Sequence, residues 1–329
     1  VEVPGYELPE EAVAQVPAEP RDAARLLVAL GATVEHRRVA DLPELLGPGD
    51  VVVINTSRVM PARLRLHKDS GGAAEVLLVE PLGGREWEAL VRPGRRLGPG
   101  TVLYHGDLPV IEVGERLGEG RRVVRPLVGE AKLAEVGELA LPPYIHEPLA
   151  DPSRYQTVYA ERPGSVAAPT AGLHLTDGVL EACRQRGAQV VGLDLAVGLG
   201  TFRPVKAARA EDHTMHAEHY CIPEATWEAV REARGRVVAI GTTTVRALES
   251  AAATGRLEDR TELYIRPGHV FSTVDVLMTN FHLPRSTLLL MVEAFCGPRW
   301  RLLYQEALAG GYRFLSFGDA MIVGRDVPA

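Results

Sequence analysis

Nowhere in this chain of 329 residues does an apolar run approach the roughly 18 residues that a membrane-spanning helix needs, and the longest candidates are cut by Gly or Asp. Cysteine is scarce as well. Cys183, Cys221 and Cys296 stand apart with no C-x-x-C pair, which argues against a disulfide framework and for reduced thiols in a cytosolic protein. The stretch Val1 to Glu11 lacks a basic region followed by an apolar one, so it does not read as a secretory signal, and the expected localisation is cytoplasmic. Aromatic residues make up only 5%, and no stacked-aromatic RNA motif is present. Positive charge is not in excess: a net charge of −7 argues against a nonspecific nucleic-acid coat, while leaving room for a local basic groove. What is there, 46% hydrophobic and 24% charged residues, suits a packed chain of one large domain or two ordinary ones.

Glycine (33) and proline (24) exceed their usual combined share of roughly 12%, and they are spread through turns rather than pooled in a linker. From Leu26 to Asn55, short apolar runs flank the turn Gly47-Pro48-Gly49-Asp50; Val51–Ile54 has the length of a strand buried on both faces. From about 62 to 140 the expected strands are Ala74–Glu80, Trp87–Val91, Thr101–Tyr104, Val110–Val113 and Arg122–Arg125. Gly/Pro turns separate them and helix signals are nearly absent, the pattern of a small antiparallel barrel or sandwich. From 150 onward helix and strand alternate. Helices are expected at Asp177–Arg186 (Thr176 as N-cap, Gly187 past the end), Glu224–Arg234 closed by Gly235, and about 243–252, 286–295 and 300–309. Strands are expected at Gln189–Leu195 and Val237–Ile240. The predicted fold is a layered α/β domain, 1–61 plus 150–329, with a β-barrel inserted at 62–149.

Several segments can carry chemistry. Val190–Pro204 is a strand running into Gly198-Leu199-Gly200-Thr201. Arg203 falls where a dinucleotide fingerprint needs its third glycine and Pro204 follows, so that reading fails, and a ligand-approaching loop or a tight turn remains. Val237–Ile240 ends in Gly241, after which Thr242, Thr243 and Thr244 open a helix that carries Arg246. Such a helix start suits a carboxylate or phosphate, or else Thr242 or Thr243 simply caps it. His213, His216 and His219, with Glu218 among them and Cys221 nearby, allow a metal site, acid/base chemistry or plain surface histidines. His174 and His282 sit in loops beside Gly or Pro, where functional groups concentrate. Arg58, Arg63, Arg92, Arg95, Arg96, Arg203, Lys206, Arg246 and Arg285 are candidate phosphate contacts.

Nine segments, in order along nearly the whole chain, resemble one family. They are Val53–Leu64 (VINTSRVMPARL), Leu141–Ile145 (LPPYI), Arg154–Ala160, Gly164–His174 (GSVAAPTAGLH), Val197–Val205 (VGLGTFRPV), Met215–Glu218 (MHAE), Gly241–Arg246 (GTTTVR), Thr279–Leu288 (TNFHLPRSTL) and Tyr312–Met321 (YRFLSFGDAM). The set is similar to the S-adenosylmethionine:tRNA ribosyltransferase-isomerases of queuosine biosynthesis. That resemblance implies a barrel and an α/β domain, and a reaction: transfer and isomerisation of the ribosyl group of S-adenosylmethionine onto 7-aminomethyl-7-deazaguanine in tRNA, giving epoxyqueuosine-tRNA, adenine and methionine. It implies no metal or redox cofactor, since S-adenosylmethionine is consumed, and the protein is expected to be a monomer. The reaction needs several proton transfers, and His174, His216, Glu218 and His282 are the candidates for them. Asn55, Arg58, Gly198, Gly200, Thr201, Arg203, Gly241, Thr242, Thr243, Arg246 and Asn280 are the candidate substrate-binding residues.

Two positions depart from the family pattern: Thr56 stands where Asp is usual, and Ala196 where His is usual. Neither can move a proton, so both read as supporting positions. Competing readings are a metal-dependent hydrolase built on His213, His216 and His219, and a noncatalytic tRNA-binding relative.

Overall fold

The computed structural model describes residues 2–94, 96–118, 120–198, 209–213, 215 and 217–326. In chain order its elements are strands β1 (Arg25–Ala29), β2 (Glu35–Arg38), β3 (Val51–Asn55), β4 (Ser57–Val59), β5 (Arg63–Lys68), β6 (Ala73–Gly83), β7 (Glu86–Arg92), β8 (Val102–His105), β9 (Leu108–Gly118) and β10 (Arg121–Pro126). Helix α1 (Glu130–Val136), β11 (Arg162–Ser165), α2 (Asp177–Gln185), β12 (Gln189–Leu195), β13 (Glu218–Cys221), α3 (Glu224–Arg231), β14 (Val237–Ile240) and α4 (Thr242–Thr254) follow. The chain ends with β15 (Glu258–Thr261), β16 (Val276–Asn280), α5 (Thr287–Cys296), α6 (Trp300–Ala309) and β17 (Ala320–Gly324). Among the described residues no helix is long and apolar enough to cross a membrane.

The chain folds into two compact units. The first comprises Val1–Arg58, Pro142–Arg162 and Ala168–Ala329, the second Val59–Leu141 and Pro163–Ala167. The first unit is the layered α/β part. Its nine-stranded sheet has the order β15-β13-β12-β3-β14-β16-β17-β1-β2, and β12, β3, β14 and β16 run parallel. Alternate residues of the central strands point to one face, as period two requires: Leu26 and Val28, Val52 and Ile54, Val238 and Ile240, Val276 and Met278, Ala320 and Ile322. These pack with Val179, Leu180 and Cys183 of α2 in one core cluster. The intervening residues Val53, Ala239, Leu277 and Met321 are buried as well, so the central strands are apolar on both faces up to the polar residues at the carboxyl ends of β3 and β16. Burying each large side chain of this kind stabilises the fold by roughly 1.5–3 kcal/mol.

Helix α2 starts as expected, with Thr176 Oγ1 accepting the Val179 N–H at 3.2 Å. Helix α3 stops at Arg231, short of the expected Arg234. Gly235 serves a different purpose from closing it: a Cβ there would lie 2.5 Å from Asp50 Oδ1 and 2.7 Å from Asp50 N. Strands β16 and β17 were not expected, because VLMTN and AMIVG have no alternation that separates them from buried helix turns.

The second unit is a closed antiparallel barrel of order β10-β7-β6-β5-β8-β9. Leu64, Val76, Ala89, Leu103, Ile111, Val113 and Val124 are buried in it. All five expected strands are present, most of them longer than expected. Strand β5 (RLRLHK) was not expected although Arg63–Leu66 alternates polar and apolar, and α1 was missed because it is only seven residues long.

Candidate active site

Four parallel strands open their carboxyl ends on one edge of the sheet, the edge where open α/β sheets bind ligands. There β3 delivers Asn55, β12 the turn after Leu195, β14 Gly241, and β16 Asn280 with His282. Strand β17 is antiparallel to β16 with Ala320 opposite Asn280, so the turn before it reaches the same edge. A small cleft with a cavity volume of about 40 Å³ lies here, with residues 168–171, 241–243 and 279–283 in its walls together with Tyr144, Val197, Leu315 and Ser316.

Gly241 makes the start of α4 possible. Its φ of 92° and ψ of 152° belong to a region only glycine enters readily, so the chain can leave β14 and begin the helix in one residue. The expected capping by Thr242 or Thr243 does not occur, since no described side chain caps this terminus. Thr244 Oγ1 instead donates back to Ile240 O at 2.7 Å, and Thr243 Oγ1 accepts from Asn55 Nδ2 at 3.4 Å. Gly241, Thr242 and Thr243 line the cleft, which therefore meets the positive end of the helix.

Arg246 does not serve that terminus, contrary to expectation. It is 5% exposed, with Nε donating to Leu263 O at 3.0 Å and Nη2 to Thr261 O at 2.8 Å, while Nη1 pairs with Glu218 Oε2. The other Glu218 oxygen accepts the Gly198 N–H at 2.9 Å. Glu218, expected to move protons, is thus clamped between a guanidinium and the glycine loop. One turn into a helix, an arginine side chain can reach sideways along the sheet as easily as back to the helix start, and here the buried carboxylate wins.

His282 lines the cleft and is 8% exposed. Its Nε2 lies 2.9 Å from Thr279 Oγ1. Tyr304 Oη accepts from its backbone N–H at 3.0 Å and Tyr6 Oη donates to its carbonyl at 2.6 Å. Burial pushes its pKa down to about 3, so the ring is neutral. His174 does not line the cleft. Its Nε2 is 2.7 Å from Gly318 O and its Nδ1 3.2 Å from Ala171 O, joining two turns that do contribute walls. Burial lowers its pKa against those two contacts, so it too is neutral.

Asn280 lines the cleft, accepting from Thr170 Oγ1 at 2.9 Å and donating to Leu315 O at 3.1 Å. Asn55 is spent on the framework, bonding both the N–H and the carbonyl of Leu195 at 3.2 and 3.0 Å. Arg58 is exposed and donates to Ala160 O at 2.7 Å. His216, Gly200, Thr201 and Arg203 lie outside the described residues. Of the alternative metal set, His213 packs its ring edge-on to Tyr264 and His219 Nε2 is 3.4 Å from Glu258. Among the described residues no three His, Cys, Asp or Glu side chains form a metal-holding group. Neither departure is among the residues lining the cleft: Thr56 lines a separate groove over β12 and donates to Leu193 O at 3.1 Å, and the Ala196 N–H, beside cleft-lining Val197, bonds His219 O at 3.1 Å. Tyr144, Thr170, Thr279, Ser286 and Ser316 line the cleft and were not singled out. All five lie inside motifs set apart in the sequence, but a hydroxyl in a motif gives no titratable signal, and Ser286 is also the N-cap of α5.

Residues 3–323 match the family described as Queuosine biosynthesis protein. The chain is 51% identical over 321 residues to the S-adenosylmethionine:tRNA ribosyltransferase-isomerase of Rubrobacter xylanophilus, covering 97% of this chain and 96% of that one. It is 52% identical over 340 aligned positions to the protein of that name from Thermus thermophilus, with 97% of each covered. Among solved structures, S-adenosylmethionine tRNA ribosyltransferase from Thermotoga maritima is similar, with a TM-score of 0.55 and 36% identity over 97% of this chain and 99% of that one. The chain therefore belongs to the queuosine biosynthesis protein family.

Proposed function

We propose that this protein transfers and isomerises the ribosyl moiety of S-adenosylmethionine onto 7-aminomethyl-7-deazaguanine in tRNA, releasing adenine and methionine and leaving epoxyqueuosine-tRNA. Near-full-length similarity to proteins bearing the ribosyltransferase-isomerase name carries this reading. The cleft at the carboxyl ends of the parallel strands is the proposed reaction site. His282 enters it as a neutral imidazole. With a pKa of about 3, its protonated form is rarer than the neutral one by about 10⁴ at pH 7, so it suits a hydrogen-bonding role and not proton donation to departing adenine. His216 is proposed as a further proton-transfer group. His174, Glu218 and Arg246 are proposed as positioning residues, because each holds a wall or loop. S-adenosylmethionine is consumed as a substrate, and the proposed reaction uses no metal or redox cofactor, in a cytoplasmic monomer.

The test is to incubate the protein with S-adenosylmethionine and tRNA carrying the aminomethyl base, and to follow adenine release. Release that needs both substrates and no added metal is expected. Activity abolished by chelator and restored by zinc would overturn the metal-free reading, and failure to release adenine from both substrates together would overturn the reaction.

A further inference from the structure

The walls of the cleft include the first turn of α4. This helix runs 13 residues, Thr242–Thr254, and its first backbone bond goes from Val245 N to Gly241 O at 3.3 Å. The N–H groups of Thr242, Thr243 and Thr244 come before that bond, and no described side chain caps them. Aligned peptide dipoles give such a terminus about half a positive charge, so it favours an anion.

The side chain of Thr242 points the same way. Thr242 is 6% exposed and lines the cleft, yet among the described residues its hydroxyl makes no hydrogen bond. Neighbouring hydroxyls in the same walls are spent within the protein. Thr170 donates to Asn280 Oδ1 at 2.9 Å, Thr279 Oγ1 lies 2.9 Å from His282 Nε2, and Ser286 donates to Leu283 O at 2.7 Å. Buried polar groups are nearly always bonded, so a hydroxyl left over in a cavity wall, beside a helix start, is set up for a ligand. Size narrows the choice. A water-sized group needs roughly 10–15 Å³ of such space, so a cavity of about 40 Å³ has room for about three. A carboxylate has three heavy atoms and a phosphate group has five.

Resting on the ribosyl-transfer reading above, we propose that this cleft is the subsite for the carboxylate of S-adenosylmethionine, bound by Thr242 Oγ1 and the first N–H groups of α4. The hydroxyl donates to one carboxylate oxygen and the helix start to the other. An anchored carboxylate leaves the sulfonium and the adenosyl part at the mouth of the cleft, along the carboxyl edge of the sheet. An RNA phosphate is the other oxyanion of this reaction, but it is larger than the space and tied to a polymer on both sides.

The test compares ligands with and without the carboxylate, by calorimetry on the full chain. Decarboxylated S-adenosylmethionine keeps the ammonium, sulfonium and adenosyl groups. It should bind more weakly than S-adenosylmethionine by about tenfold or more, the scale of a charge-assisted hydrogen bond. Thr242→Val, which keeps the shape and removes the hydroxyl, should weaken S-adenosylmethionine by about tenfold and leave the decarboxylated ligand unchanged. Thr242→Ser should restore the affinity of the parent. A purely structural loss would weaken both ligands alike. Melting temperatures identify a variant that has failed to fold, and the comparison of ligands on the parent, which needs no variant, then carries the test. Equal binding of the two ligands by the parent would overturn the proposal. So would a Thr242→Val protein that melts with the parent and keeps its full discrimination. A variant weakened only toward tRNA and inorganic phosphate would place a phosphate in the cleft and overturn it too. If the parent releases adenine but does not discriminate, the subsite fails and the reaction stands. If it discriminates but releases no adenine, the reaction fails and the subsite stands.

Discussion

The Glu218–Arg246 pair gives the sharpest separation between a structural and a catalytic role. The two side chains are 11% and 6% exposed, so solvent screens them little. Glu218→Gln retains an acceptor for the Gly198 N–H but takes the Glu218 charge away from the buried Arg246 guanidinium. Removing one partner of a buried pair typically costs about 3–5 kcal/mol, and about 3 is the better figure here, because Arg246 keeps two backbone acceptors, Leu263 O and Thr261 O. For a unit of this size each kcal/mol lowers the melting temperature by roughly 2–4 °C, which predicts a fall of about 6–12 °C. Glu218→Gln/Arg246→Met removes both charges and should recover most of that loss. The assay pairs differential scanning calorimetry with single-turnover adenine release on all three proteins. Recovery of turnover along with stability is expected in the double variant. A Glu218→Gln protein that melts with the parent and is inactive would refute the reasoning and restore Glu218 as a proton-transfer residue.

The pH dependence of stability follows from His282. Its folded pKa, about 3, is depressed below the ordinary value of 6.5, so the unfolded chain binds more protons between those values and stability falls as pH falls through that window. Between pH 6.5 and 5 the loss should be about 2 kcal/mol, and His282→Gln should flatten that slope in urea titrations; a slope unchanged by the substitution would place the linkage elsewhere. Gly241→Ala meets nothing closer than 3.7 Å, so its cost comes from the backbone alone, about 1–3 kcal/mol. A variant as stable as the parent in a denaturant melt would show that α4 tolerates another start. Charge reversal at two of Arg58, Arg63 and Arg92 should raise the apparent constant for tRNA more than that for S-adenosylmethionine and reduce the salt slope; equal effects on both substrates would count against these as RNA contacts.

The partners of the charged residues are what sequence alone could not supply. Glu218 is a candidate for proton transfer by residue type alone. What Glu218 touches is decided by Arg246, 28 positions away and one turn into α4, and by a loop amide 20 positions back. His174 sits in a loop beside glycine, as functional histidines do, but its partners Ala171 O and Gly318 O make it a tie between turns. His282 and Asn280 could be singled out and do line the cleft, since both directly follow or end a buried strand that points at it.

By itself the sequence determined the class of the fold and the family. Gly/Pro punctuation at short intervals made a small β-unit, and 3.6-residue periodicity with Thr176 as a cap made helices, because hydrophobic period and capping are local properties of neighbouring residues. The motif order likewise is written along the chain. Only the tertiary structure decided which motifs meet. Strands β3, β12, β14 and β16 come from positions 51 to 280, and their parallel register gathers Asn55, Gly241 and Asn280 at one edge. Tyr144 reaches Ser316, and Leu315 is held left-handed by Phe281 and Asn280. Such contacts depend on strand order and backbone direction, which arise from long-range packing and leave no periodic trace in the residues that make them.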